Sequence, residues 1–330
     1  MTDSKTSLDF IIIGAPKAGT TSLHEYLKTH PEVHLPSWKE TNFFLDPRYQ
    51  RGVDWYLDWV LGEAGGERVR GEASVRYMAG TPWLVSDEEA ARENLPAEYA
   101  AAGTERVIPE RIHAALPDVK LIALLRDPVK RCISEYGMAV LREIEHRSPD
   151  EALETLLQPE QLEKARAYFT DTTCYVAQSE YGRVLKPFFE IFPREQLLVL
   201  FTSDLAERPR EVVQQACAFL GVDDDFVPPN LGVRYLEGAT RPRVRYLDFP
   251  RFSRALRQHE GLRSAWRRLP SGFRRRAWSS TYKIEKWNRV TDTAKKSTEV
   301  SPELEAKLRE HFQADRELIA ELVGTEPPWR

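Results

Sequence analysis

Short, near-continuous apolar runs alternate along the chain with stretches in which apolar residues recur at helical spacing. Phe10-Ile11-Ile12-Ile13 is a compact β-branched and aromatic run, too short for a helix and closed by Gly14-Ala15-Pro16, so it predicts a buried strand. Beyond the loop, Thr21-Ser22-Leu23-His24-Glu25-Tyr26-Leu27 starts a helix that His30-Pro31 ends, because proline cannot continue an α-helix and biases its predecessor away from helical torsions. A second unit begins with a strand over 119–125, passes through Arg126-Asp127-Pro128 and continues as a helix over about 129–142. A third strand, 196–201, follows a helix over 181–191 and precedes one over 208–220. Apolar strands without a polar face, alternating with helices, predict a parallel sheet covered on both sides.

The segments between these units are predicted as helical insertions: 87–102 is acidic and Ala-rich, and 149–169 carries apolar residues at helical spacing. Near the end, Leu304, Leu308, Phe312, Leu318 and Leu322 follow the helical period, with Ser301 placed as a cap ahead of Glu303 and Glu305. The expected organisation is one domain over 1–330, with an α/β core at 8–235, a basic loop and helical insertion at 236–300, and a C-terminal helix packing on the core at 301–330. No internal repeat or low-complexity segment interrupts it.

Composition excludes several classes. With 330 residues, 42% hydrophobic and 30% charged, the chain buries a sizeable core and is neither fibrous nor disordered. Its longest aliphatic runs, 11–13 and 121–125, fall far short of the roughly 20 residues that span a bilayer. The first ten residues lack the basic start and apolar stretch of a secretory signal. Cys132, Cys174 and Cys217 are odd in number and form no CxxC pair, so buried thiols in a cytoplasmic chain are expected rather than a disulfide framework. The seven His residues show no metal-ligand spacing, and no metal is expected. Charge is uneven: 241–296 holds 17 Lys or Arg against 4 Asp or Glu in a chain of net charge −4. Such a stretch suits an anionic ligand, lipid or nucleic acid, and equally a solvated helical face. Trp266, Trp278 and Trp287 within it favour a folded segment.

The most informative segment is Gly14-Ala15-Pro16-Lys17-Ala18-Gly19-Thr20-Thr21-Ser22, between a strand and a helix N-terminus. Loop amides, the helix dipole and the hydroxyls favour an anion there, and Lys17 adds a full charge. The spacing nearly matches a Walker A loop, GxxxxGK[ST], but Thr20 stands at the lysine position and the lysine has moved into the loop. A phosphate-like ligand other than a magnesium-bound triphosphate is therefore expected.

These residues resemble the sulfotransferases that use 3′-phosphoadenosine 5′-phosphosulfate (PAPS), whose first loop follows PKxGTTxL and grips the 5′-phosphosulfate. Here it reads Pro16-Lys17-Ala18-Gly19-Thr20-Thr21-Ser22-Leu23. The family's 3′-phosphate segment, RxPxxRxxSxY, is matched by Arg126 through Ser134 to Tyr136. Lys39-Glu40-Thr41-Asn42-Phe43-Phe44, Gly52-Val53-Asp54-Trp55-Tyr56, the Gly71-Glu72-Ala73-Ser74 loop, Ser179-Glu180-Tyr181-Gly182 and 192–197 are similar to segments of the heparan-sulfate-type branch and its bacterial relatives. The resemblance runs from about 10 to 221, with a weaker match at 238–245 to a late basic loop closing over the cofactor. Two departures limit it. Ala73 stands where some relatives carry a lysine near the reacting sulfate, and the late loop lacks the cysteines that flank it in secreted relatives.

The resemblance implies a P-loop-like parallel sheet flanked by helices, a PAPS donor, and sulfuryl transfer to a hydroxyl or amine of a carbohydrate, lipid or hydroxylated small molecule. Glu40 is the implied base and Lys17 the cation at the leaving phosphate. Pro16, Lys17, Ala18, Gly19, Thr20, Thr21, Ser22, Arg126, Ser134, Tyr181, Thr240, Arg241 and Arg243 are the implied donor contacts; Lys39, Phe43, Glu72 and Ser74 are the acceptor contacts. His24, His30 and His34 are alternative bases. Trp38, Trp55, Tyr56 and Trp59 fit a ring-stacking wall for a sugar, and Trp55 and Trp59 at i, i+4 equally fit a buried helix face. Two other classes stay open: an ATP-dependent small-molecule kinase on the same loop, and a non-catalytic module binding nucleic acid or membrane through the basic segment. No nucleic-acid motif supports the latter, and peripheral membrane contact is placed at 251–296.

Overall fold

The computed structural model describes residues 7–45, 47–79, 106–142, 144–167, 172–235, 240–242, 289–291 and 298–329. Strand β1 (Phe10–Gly14) leads into helix α1 (Thr20–Leu27), and a two-residue strand β2 (Val33–His34) precedes α2 (Val53–Val60) and β3 (Val69–Ala73). Next come α3 (Val107–Ala115), β4 (Lys120–Leu125), α4 (Pro128–Leu141), α5 (Pro149–Leu157) and α6 (Pro159–Ala167). Helix α7 (Tyr181–Ile191), β5 (Leu197–Phe201), α8 (Thr202–Glu207) and α9 (Pro209–Leu220) follow.

The five strands pair in parallel in the order β2-β3-β1-β4-β5. All five residues of β1 are buried, and β4 is buried from its second residue onward, as a sheet covered on both faces requires. From β1 the chain crosses to the edge strand β2, comes back to β3 between them, and then passes to the other side of β1 with β4 and β5. That reversal falls at the carboxyl ends of β1 and β4, the place where open parallel sheets bind ligands.

Local chemistry sets the boundaries. Asp127 caps α4 by accepting from the Lys130 N–H at 3.1 Å, with Pro128 at the first helical position. Gly14 permits close approach, since a Cβ there would lie 2.5 Å from Met78 Sδ.

Some elements differ from the sequence reading. Gly71-Glu72-Ala73 is strand rather than loop: Phe10 sits in register with Gly71 and Ile11 with Glu72. The 149–169 helix is two helices, because Pro159 cannot donate to the α5 ladder and opens α6. The terminal helix divides at Phe312 into α10 (Pro302–His311) and α11 (Gln313–Val323). Ser301 does cap α10, accepting from Leu304 N–H. Ile319 and Trp329 join the main core, with Trp329 edge-on to Tyr181 and Phe201.

The chain divides into two compact units, 1–235 with 298–330, and 236–297. In the second, β6 (Thr240–Pro242) and β7 (Arg289–Thr291) pair antiparallel with Arg241 opposite Val290. The acidic 87–102 stretch, Arg243 and most of 251–296 lie outside the described residues.

Candidate active site

The loop after β1 is pinned from the ends of β4 and β5. Ala15 N–H donates to Leu124 O at 2.8 Å, and Thr202 Oγ1 lies 2.6 Å from Ala18 O and 2.9 Å from Leu125 O. Thr202, at the end of β5, was not legible in the sequence, because its role exists only once three strand ends meet. Gly19 adopts φ 92° and turns the loop into α1. The Thr20 and Thr21 hydroxyls then sit in the first turn. Ser22 faces inward, where its oxygen accepts from Tyr235 N–H at 3.1 Å.

Among the described residues the non-glycine positions with positive φ are Lys17 (66°), Glu40 (66°) and Asn42 (51°). Left-handed backbone costs such residues of order 1 kcal/mol each, and such residues cluster where a site needs them. Lys17 has its carbonyl held by Arg126 Nη1 at 3.1 Å. Burial brings the Lys17 ammonium down to about 8; Arg126, Arg142 and Arg131 add to this and Glu135 opposes it. Arg126 leaves the end of β4 toward the same loop, beside the buried Tyr181. Ser134 lies partly buried two turns along α4. Arg131 between them is a structural cation: it is 0% exposed and donates to Ser179, Glu135 and Tyr175 O.

Glu40 is stapled to the end of β3. Its N–H donates to Ala73 O at 2.9 Å, and its Oε2 accepts from Val75 N–H at 3.2 Å. Burial raises its carboxyl above the usual carboxylate range, against the opposing pull of Lys39, the Val75 amide and Arg76. Lys39 reaches back to the loop, with Nζ 3.3 Å from Thr20 Oγ1 and 3.4 Å from Thr21 Oγ1.

Three expected acceptor contacts turn inward. Phe43 is 0% exposed and stacks on Tyr56 at 4.4 Å. Glu72, 1% exposed, accepts from Tyr56 Oη at 3.1 Å and Ser74 Oγ at 2.8 Å. Ser74 also accepts from Asn42 N–H and meets Thr41, which meets Tyr77 Oη at 2.8 Å. Glu72 belongs to β3, and residues 41, 42, 56, 74 and 77 form a polar network around it. Sequence reasoning missed Thr41, Asn42, Tyr56 and Tyr77 as its members.

Burial raises the Glu72 carboxyl to about 7, with the Glu40 charge adding and the Ser74 and Tyr56 hydroxyls opposing. The folded chain thus holds a proton that the unfolded chain releases near its ordinary value. This group's contribution to stability is flat at low pH, falls from about 4.5 to about 7, and is flat again above. Denaturant titrations should show Glu72→Gln gaining about 3 kcal/mol relative to wild type between pH 4.5 and 8. A constant difference across that range contradicts the placement.

The three histidines do not join Glu40. His24 is buried and its pKa is brought down to about 4 by that burial. His30 bonds Asp223 O at 2.8 Å and accepts from Glu32 N–H, while His34 lies 3.5 Å from Val60 O. Trp38 stacks on Trp59 at 4.7 Å, and Trp59 tilts against Trp55 at 5.2 Å, all three partly exposed.

The β1 loop with Lys17, the Lys39 ammonium and the Glu40 carboxylate thus gather beyond the ends of β1, β3 and β4. The chain is similar to several known proteins. Heparan sulfate glucosamine 3-O-sulfotransferase 3B1 of Mus musculus is 30% identical over 221 residues, 66% of this chain and 47% of the relative. Bifunctional heparan sulfate N-deacetylase/N-sulfotransferase 2 of Homo sapiens is 26% identical over 220 residues, 64% of this chain and 22% of the relative. The chain therefore spans about half or less of these curated relatives. The crystal structure of a sulfotransferase from Alicyclobacillus acidocaldarius matches with TM-score 0.61 and 25% identity, covering 97% of each chain. The Sulfotransferase family matches residues 9–226, which hold the loop, Glu40, Glu72 and the Arg126–Ser134 segment, and the chain belongs to that family.

Proposed function

We propose that the chain moves the sulfuryl group of PAPS to a hydroxyl or amine of a carbohydrate or hydroxylated small-molecule acceptor by in-line displacement. The observation that carries this reading is the meeting of the β1 loop with the segment of Glu40: Lys39 Nζ reaches the Thr20 and Thr21 hydroxyls, and the adjoining Glu40 carboxylate is one whose burial suits it to take a proton. The loop amides of 16–22 and Lys17 bind the 5′-phosphosulfate, and Lys17 stabilises charge growing on the leaving phosphate. Arg126 and Ser134, from the neighbouring strand end and helix, take the 3′-phosphate. Thr240, Arg241 and Arg243 are proposed as further donor contacts. The names of both curated relatives specify heparan sulfate, which supports a carbohydrate acceptor ahead of a lipid.

Calorimetric titration with adenosine 3′,5′-bisphosphate and with magnesium-ATP tests the donor. The bisphosphate should bind at least tenfold more tightly, since each charge-assisted contact to the 3′-phosphate contributes about 1.5–3 kcal/mol. Tighter binding of magnesium-ATP overturns the reading in favour of a kinase. Labelled PAPS supplied to cell extract, followed by mass spectrometry of the labelled product, identifies the acceptor.

A further inference from the structure

In the proposed reaction Lys17 serves the charge growing on the leaving phosphate, and the transferring sulfuryl group has no side-chain cation of its own. Lys39 stands where that group must pass. Its Nζ lies 3.3 Å from Thr20 Oγ1 and 3.4 Å from Thr21 Oγ1, so an ammonium occupies the mouth of the first turn of α1, next to the loop amides. Two long contacts to hydroxyls leave its third N–H unspent, and no carboxylate among the described residues lies within 4.0 Å of it. The neighbouring strand end contributes no cation, because the residue whose carbonyl receives the Glu40 N–H is Ala73. The Lys39 charge is held in place from a distance. Burial lowers its pKa, while Glu40, Glu25 and Glu72 oppose that lowering. An ammonium placed so, on neutral hydroxyls at a helix N-terminus, is suited to contact an anion.

Resting on the proposed sulfuryl transfer, we infer that Lys39 is a second catalytic residue, binding the non-bridging oxygens of the transferring sulfuryl group while Lys17 attends the leaving phosphate. In the step, a lone pair of the acceptor oxygen or nitrogen forms the new bond to sulfur as the bond from sulfur to the phosphate oxygen breaks. Its electron pair stays on the phosphate, giving adenosine 3′,5′-bisphosphate. The acceptor proton passes to the Glu40 carboxylate. Protonation removes the Glu40 charge that favoured the Lys39 ammonium and leaves that ammonium facing the new sulfate.

This division of labour makes PAPS and adenosine 3′,5′-bisphosphate different probes, because they differ only in the sulfuryl group. For Lys39→Met, calorimetry should show PAPS affinity falling tenfold or more while bisphosphate affinity stays within twofold of wild type. Lys39→Gln, which is smaller and polar, supplies a second test should the Met variant fail to fold, as judged by thermal melting. Equal losses for the two ligands, or no loss for either, overturn the role and reduce Lys39 to a counter-ion of the surrounding carboxylates. If wild type binds neither ligand, the failure lies in the sulfotransfer reading and takes this inference with it. If wild type binds both and the variant keeps its discrimination, only the Lys39 role falls.

Discussion

Replacing Lys17 by alanine should lower turnover with PAPS by about a hundredfold, the effect of removing one preorganised contact to a developing charge, or about 2.7 kcal/mol of barrier. The ammonium is partly buried among Arg126, Arg131 and Arg142, and burial is the main reason its pKa falls to about 8. Desolvation makes such a charge more effective than one in water. It also gives the prediction a pH signature. In the free enzyme Lys17 loses its proton as pH rises past about 8, so kcat/KM should decline there. A bound phosphosulfate favours the ammonium, so the alkaline limb of kcat should lie higher. Lys17→Arg should carry both limbs beyond the measurable range. Because position 17 has φ 66°, alanine also introduces backbone strain. Lys17→Asn, better tolerated in the left-handed region, should show the same hundredfold loss. Turnover within about threefold of wild type in the Asn variant would remove Lys17 from the reaction.

Which parts of this were readable beforehand follows from which signals are local. β1, β4 and β5 stand out because each is an uninterrupted apolar run, and α1 and α4 because each begins just after a strand and a short polar loop. The loop over 14–22 was readable for the same reason: its Gly, Lys and Thr positions lie in nine consecutive residues. β3 was not, since Val69-Arg70-Gly71-Glu72-Ala73 has two charged residues and a glycine and becomes a strand only through its register with β1. The inward turn of Glu72 depends on Tyr56 and Ser74, and that of Ser74 on Thr41 and Asn42. Their meeting is set by how two loops close over the strand end. Nor could periodicity divide α10 from α11, because Phe312 continues the apolar stripe across the break. Lys39 shows the limit most clearly. Its place beside Glu40 marked it as a site residue, but its contacts to Thr20 and Thr21, some eighteen positions away, exist only in the folded chain.

Glu40→Gln should separate chemistry from binding. Glutamine has the same shape and can still accept from the Val75 N–H that holds Oε2 at 3.2 Å, so the left-handed 40–42 segment should keep its geometry and adenosine 3′,5′-bisphosphate should bind within about twofold of wild type. Turnover should fall by about a thousandfold, within the range for loss of a general base. Burial raises the Glu40 pKa, and Lys39, the Val75 amide and Arg76 moderate that rise. The ionised form is the base, so wild-type activity should increase with pH through a limb above the ordinary carboxylate range. The residual activity of the Gln variant should lack that limb. Removing Lys39, which pulls the Glu40 pKa down, should move the limb to higher pH, so the two residues can be read in one experiment. Two outcomes decide against the assignment. Weakened bisphosphate binding with turnover preserved at saturation would make Glu40 a donor contact rather than a base. An unchanged acid limb in Glu40→Gln would hand the proton to another group, with Glu72, the buried carboxyl brought to about 7, as the one to replace next.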